Sequence, residues 1–178
     1  MRIIGGIYKT RRYKVPKNFP SRPTTDFAKE GLFNILEHQY SISDMTILDL
    51  CAGTGNISLE FLSRNAGAVI AIDNNYNCVR HIKSMAEHFG CSESLKVIRA
   101  DILKFLKKTD KKYDIVFADP PYNYQFHSAI VTEVFNRNLL KEGAPLIVEH
   151  GKETSLKDIT HFKLMRIYGN VHFSFFEK

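Results

Sequence analysis

A chain of 178 residues has room for one well-filled core, and 44% hydrophobic with 25% charged residues is ordinary for a globular domain. No apolar run approaches the roughly 20 residues of a membrane helix, and the opening Met1-Arg2-Ile3-Ile4-Gly5-Gly6 lacks the apolar stretch of a secretory signal. The three cysteines, Cys51, Cys78 and Cys91, show no Cys-x-x-Cys spacing, which argues against disulfides and structural zinc and for a reducing compartment, the cytoplasm.

The net charge of +6 is concentrated at one end. Residues 1–30 carry eight Lys/Arg against Asp26 and Glu30, whereas residues 31–178 carry seventeen of each sign. A basic segment on a neutral domain suits a phosphate-binding arm, with a solubilising tail as the plainer alternative. Its candidate contacts to nucleic acid are Arg2, Lys9, Arg11, Arg12, Lys14, Arg22, Thr24 and Thr25. Residues 1–25, with Gly5-Gly6, Pro16, Pro20 and Pro23, predict a short hairpin and an extended arm attached to a domain over 26–178. Thr24-Thr25-Asp26 offers capping oxygens for a helix over Phe27–Gln39, whose stripe of Phe27, Leu32, Phe33, Ile35 and Leu36 is expected in the core.

From Thr46 the pattern alternates. Strands are predicted at Thr46–Leu50, Ala68–Ile72, Leu95–Arg99, Tyr113–Ala118 and Pro145–His150. Helices are predicted at Asn56–Asn65, Asn75–Phe89, Ile102–Lys108 and Phe126–Leu139. Such alternation implies an α/β fold, a parallel sheet with helices on both faces. Phe162–Tyr168 and Val171–Phe176 flank Gly169-Asn170, a hairpin signal, so the parallel sheet should end in an antiparallel pair.

The chemistry lies at the strand ends. Asp49-Leu50-Cys51-Ala52-Gly53-Thr54-Gly55 joins the first strand to a helix, and glycines let a backbone approach a ligand closely. A dinucleotide fingerprint is incomplete because Ser58 holds its third glycine position, and no Gly-Lys-Ser/Thr follows to make a P-loop. Asp49 suits a cationic amino group and would repel a pyrophosphate. Asp73, followed by Asn74, ends the second strand where a carboxylate can accept ribose hydroxyls. Asp101-Ile102 follows the third strand, placed to take an adenine amino group and cover the ring. Each acid alone reads as a solvated strand end; together with the Gly loop they suit an adenosine whose other end carries an amino group and a positive charge. The fourth strand stops at Asp119-Pro120-Pro121-Tyr122, a carboxylate, a rigid backbone and an aromatic ring that can hold a planar base by its amino group. The seven histidines form no metal set. His81 and His88 read as surface residues, a direct role for His127 is disfavoured, Cys51 reads as small and buried, and Glu149-His150 reads as structural.

These motifs resemble the class I S-adenosylmethionine-dependent methyltransferases: Asp49 to Gly55 the cofactor loop, Asp73 the ribose acid, and Asp119 to Tyr122 the motif of enzymes that methylate exocyclic amino groups. Arg2-Ile3-Ile4-Gly5-Gly6, Arg22-Pro23-Thr24-Thr25-Asp26, Leu32-Phe33-Asn34 and Val148-Glu149-His150 extend the likeness to the RsmD family of 16S ribosomal RNA guanine-N2 methyltransferases over essentially the whole chain. The resemblance implies a Rossmann-like, seven-stranded sheet with a reversed final hairpin, S-adenosylmethionine as cofactor without a metal, and 16S RNA in an assembled or assembling small subunit as partner. The chain departs from the family at Phe27, often Arg, at Cys51, often Phe, and at Asp73, often Glu. Phe27 removes one basic contact. A monomer is expected, since no coiled coil or exposed apolar helix is evident. The rival readings are a DNA or other RNA amino-methyltransferase acting on adenine N6, a non-catalytic RNA-binding assembly factor on the same fold, and a dinucleotide-dependent oxidoreductase.

Overall fold

The structure, a computed structural model, describes residues 1–16, 19–20, 24–121 and 124–178. Seven strands, β1 (Thr46–Leu50), β2 (Ala68–Asp73), β3 (Leu95–Arg99), β4 (Ile115–Ala118), β5 (Leu146–His150), β6 (Phe162–Tyr168) and β7 (Val171–Phe176), form one sheet in the order β3-β2-β1-β4-β5-β7-β6. The first five strands are parallel, and β7 runs antiparallel to both β5 and β6. The α/β class, the parallel sheet and the reversed C-terminal hairpin expected from the sequence are all present. Gly169, at φ +62°, opens the two-residue turn between β6 and β7, where a residue with a Cβ would be strained.

Five helices cover the sheet: α1 (Asp26–Gln39), α2 (Asn56–Ser63), α3 (Tyr76–Phe89), α4 (Ile102–Leu106) and α5 (His127–Asn136). Alternation along the buried strands splits the core in two. Ile47, Phe117, Ile147 and Phe173 pack with α1, α2 and α3. Leu48, Val116, Val148 and Phe176 point the other way, onto α4 and α5. Side-chain caps set several helix starts: Thr25 Oγ1 accepts from Ala28 N, Asn75 Oδ1 from Asn77 N and Asp101 Oδ1 from Lys104 N. Helix boundaries fall one to three residues inside those expected for α2, α3, α4 and α5, because end turns lack their own hydrogen-bond partners. Phe27 corrects an expectation. It lies in the first turn but is 68% exposed, touching Tyr168 edge-on at 5.6 Å, because it shares the helix face of Glu30, Gly31 and Asn34, beside the buried stripe of Ala28, Lys29, Leu32, Phe33 and Leu36.

The basic N-terminus is packed against the domain. Ile3 N donates to Arg11 O and Thr10 N to Ile3 O, closing a hairpin around a short 3-10 turn at Gly6–Tyr8. Ile3 and Tyr13 are buried in the α1–α3 layer. The hairpin is fixed to α2 by Ile4 N donating to Glu60 Oε1 (2.8 Å) and Tyr8 N to Ser63 Oγ (2.9 Å). Beneath it lies Lys29, with no exposed surface; its Nζ donates to Arg2 O (2.7 Å) and Asn56 Oδ1 (2.8 Å) and pairs with Glu60 (2.9 Å). Arg64 also pairs with Glu60, so two cations share one buried carboxylate. No described helix is long and apolar enough to cross a membrane.

Candidate active site

The strand order reverses between β1 and β4: from β1 the chain proceeds outward to β2 and β3, then returns to β4 on the other side. Open α/β sheets bind ligands outside the carboxyl ends of their strands at such a point. The loop from β1 to α2 and the end of β4 meet there, with Asp119 N donating to Leu50 O (3.1 Å).

The loop has a left-handed backbone at Cys51 (φ +60°), Gly53 (φ +53°) and Gly55 (φ +74°). At Gly55 a Cβ would lie 3.1 Å from Ile82 Cγ1 and would also be strained by φ, so this position requires glycine. Cys51 is half-buried and occupies the left-handed region despite its side chain, an uncommon conformation for a non-glycine residue. Ala52, Gly53 and Thr54 are buried beside it.

Asp49 lies under this loop, 1% exposed. Its Oδ2 accepts from Ser58 Oγ at 2.5 Å, while Oδ1 has no partner among the described residues. Burial pushes its pKa up to about 7, opposed by the Ser58 hydrogen bond and reinforced by Asp73. Ser58, which breaks the dinucleotide fingerprint, is therefore the hydroxyl that holds this acid in place. Asp73, at the end of β2, accepts from Gly53 N (2.9 Å) and Asn75 N (2.8 Å), which fixes the carboxylate against the loop. Asn74 beside it is exposed. Asp101 caps α4 through one oxygen, and Ile102 is buried behind it.

Asp119 is half-buried one residue beyond β4, followed by buried Pro120 and exposed Pro121. Desolvation, with the charges of Glu149 and Asp49, raises its pKa well above the usual carboxylate range. The Pro121 carbonyl accepts from Tyr124 N (2.7 Å), tying back the loop that follows. Tyr122 and Arg22 lie outside the described residues. His127 is buried at the start of α5, edge-on to Tyr124 at 5.7 Å, and burial lowers its pKa toward the neutral ring. His81, expected on the surface, is half-buried on α3 against the Phe19 ring (5.0 Å), with its Nε2 lacking a partner among the described residues. His88 is exposed, as expected.

The candidate RNA contacts divide. Lys9, Arg12 and Lys14 are exposed and form no side-chain ion pair among the described residues. Arg2 pairs with Asp26 at 2.8 Å, and Arg11 lies over the Phe89 ring (4.2 Å) while donating to His88 O (3.3 Å). Thr25, at an exposed position, caps α1 through its hydroxyl oxygen, and Thr24, 6% exposed, donates to Glu149 Oε2 (2.8 Å), so the Thr24 hydroxyl is committed inside the protein. Sequence reasoning missed the roles of Lys29 and Glu60, and read Glu149 as a structural strand end. The signal for the first two was present: Lys29 precedes Leu32, Phe33 and Leu36 at core spacing, and Glu60 sits between Leu59 and Phe61. Two opposite charges at core positions of separate helices imply a buried pair. Among the described residues no His/Cys/Asp/Glu cluster could hold a metal.

The chain matches known proteins over nearly its whole length. Residues 1–177 match the family model described as "Conserved hypothetical protein 95". The ribosomal RNA small subunit methyltransferase D of Haemophilus influenzae is 31% identical over 169 residues, covering 93% of this chain and 86% of that protein. Its namesake in Escherichia coli strain K12 is 31% identical over 160 residues, covering 89% and 79%. The solved structure of the Escherichia coli protein yhhF matches with a TM-score of 0.85 at 27% identity, covering 100% of this chain and 97% of that one.

Proposed function

The chain belongs to the family described as Conserved hypothetical protein 95, that of ribosomal RNA small subunit methyltransferase D, and we propose that it methylates the N2 amino group of one guanine in 16S RNA. The observation that carries this reading is the pairing, at the β1/β4 reversal, of a buried unpartnered acceptor under a left-handed loop with a second carboxylate ahead of two prolines. S-adenosylmethionine fits this site. Asp49 Oδ1, without a partner among the described residues, can accept from its amino group, Gly53 and Gly55 leave the loop backbone bare, and Asp73, Asp101 and Ile102 would hold its adenosine. When bound, the cofactor supplies a methyl carbon on positively charged sulfur; the N–C bond forms as the C–S bond breaks, its electron pair going to sulfur.

The chain's own residues orient the nucleophile. The lone pair of an exocyclic amine is delocalised into the ring, which makes it a poor nucleophile. Asp119 and the Pro120 carbonyl accept its two N–H bonds and favour a pyramidal nitrogen. The prolines fix φ on either side of that carbonyl. Tyr122 is assigned by its place in the motif to stack on the base. Orientation and acceptors aimed at charge developing on nitrogen supply the rate enhancement. The guanine is unstacked before it enters. Lys9, Arg12 and Lys14 track the phosphates, and the substrate is the RNA within an assembled or assembling small subunit, approached by a monomer in the cytoplasm.

Replacing Asp119 by Ala tests the reading. Methyl transfer should fall to background while calorimetric S-adenosylmethionine binding stays within a few-fold of wild type. Turnover at the wild-type rate in that variant removes Asp119 from the mechanism.

A further inference from the structure

Glu149 is placed where Asp119 needs a partner. The parallel pairing of β4 with β5 runs Val116–Leu146, Phe117–Ile147, Ala118–Val148. The next position of each strand is Asp119 and Glu149, on the same face of the sheet, with neighbouring strands about 4.8 Å apart. Glu149 is 2% exposed and is held by the Thr24 hydroxyl at 2.8 Å, from the segment entering α1. A structural carboxylate in so dry a place is expected to meet a cation or several donors. None of the described cations does so. Lys29 is committed to Arg2 O, Asn56 and Glu60, and Arg64 to Glu60 and Glu37. The other described groups around it bring no positive charge. On β1, Asp49 is a further acid; on β7, Phe173 stands opposite; and His150 turns to the other face, bonded to Ser174. His172 stands edge-on to His150, and His127 lies with α5 on that other face.

Resting on the guanine-N2 reading above, we propose that Glu149 is a positioning residue that forms with Asp119 a carboxylate pair, which takes up the proton the amine loses on methylation. Before transfer both carboxylates are ionised opposite the positive sulfur and the amine. As the N–C bond forms, the nitrogen gains a positive charge, and the proton it sheds passes to Asp119, where it is shared with Glu149. The positive charge that held two carboxylates ionised has then left the site, and one proton replaces it. The neighbouring negative charge makes Asp119 a better base than an isolated aspartate. Thr24 fixes Glu149 in register with it. Both carboxyls already lean this way: burial pushes Glu149 up to about 7, and Asp119 is raised by burial and by Glu149.

The test is Glu149→Gln, which keeps the shape and an acceptor for Thr24. In the protein without cofactor, carboxyl-selective carbon NMR should show the Asp119 titration falling by about one to two pH units, the loss of one like charge at strand spacing. In the transfer assay kcat should fall at least tenfold while KM for S-adenosylmethionine changes less than threefold, and the acid limb of the kcat profile should move down with the NMR value. Thr24→Val should lower kcat and Thr24→Ser should restore it. An Asp119 titration unchanged in Glu149→Gln overturns the pair, and so does a loss of kcat with the acid limb unmoved, which would mark Glu149 as structural. The NMR arm needs no turnover: if wild type methylates no guanine, the functional reading fails, whereas a failed titration in an active enzyme sinks only the pair.

Discussion

Replacing Lys29 by Met is the sharpest test of how the N-terminal hairpin is held. Methionine keeps the length and most of the apolar stem of lysine, so the change removes the ammonium with little loss of packing. The ammonium is fully buried and satisfies the Arg2 carbonyl, the Asn56 amide oxygen and one oxygen of Glu60. Breaking a buried ion pair costs roughly 3–5 kcal/mol when the remaining charge is left alone. Here Arg64 still meets Glu60, so that full cost is not incurred. Two acceptors lose the ammonium instead, at about 1–3 kcal/mol each, with Asn56 Oδ1 keeping only a long hydrogen bond from the Tyr13 hydroxyl (3.5 Å). The expected destabilisation is about 3 kcal/mol, a fall in Tm of about 6–12 °C for a chain of this length. Urea unfolding followed by circular dichroism measures it, and a Lys29→Met, Glu60→Gln cycle should return a coupling of at least about 1 kcal/mol. A single variant within about 0.5 kcal/mol of wild type would refute the reasoning and make the hairpin a free arm after all.

Other expectations follow from the site. Asp49 titrates near 7 in the folded chain, above the usual range of an unfolded aspartate, so the folded form keeps a proton the unfolded form has lost; stability should fall as pH rises from about 4 to 7 and level off above. Asp49→Asn should flatten that fall in Tm measurements, leaving the share due to Glu149 and Asp119, and an unchanged slope would contradict the burial argument. Asp73→Ala removes the acceptor that fixes Gly53 and Asn75 and should weaken S-adenosylmethionine binding at least tenfold by calorimetry; a change under twofold would count against its role. Arg12→Ala and Lys14→Ala should each weaken RNA binding and reduce the slope of log K against log salt by about one, whereas unchanged slopes would move the phosphate contacts elsewhere.

Much of the fold was legible because its signals are local. β1, β3, β6 and β7 begin and end where the alternation of apolar residues begins and ends, and Gly169-Asn170 marked the final turn. The strand-end acids were legible because turns in this fold class place them at the same edge. What the sequence hid is pairing at long range. Thr24 and Glu149 are 125 positions apart, and only the sheet order brings them into contact. Thr25 caps the helix as its place before Asp26 implied, whereas Thr24, grouped with the basic arm, holds an acid instead. Phe27 misled for a different reason: it is apolar, but the buried stripe runs through Ala28, Lys29, Leu32, Phe33 and Leu36, and a buried lysine inside that stripe hides which face the helix turns to the core. The basic residues were visible as a cluster, yet which of them are already occupied depends on neighbours such as Phe89 and Asp26 that charge counting does not supply.

The central claim is the identity of the methylated atom. The most direct measurement incubates the protein with methyl-labelled S-adenosylmethionine and either naked 16S RNA, assembled small subunits or DNA, then digests the product to nucleosides and identifies the labelled one by mass spectrometry. The expected result is a single labelled species, N2-methylguanosine, formed on the small subunit and lost with Asp119→Ala. Label on N6-methyladenine, or on DNA, would contradict it.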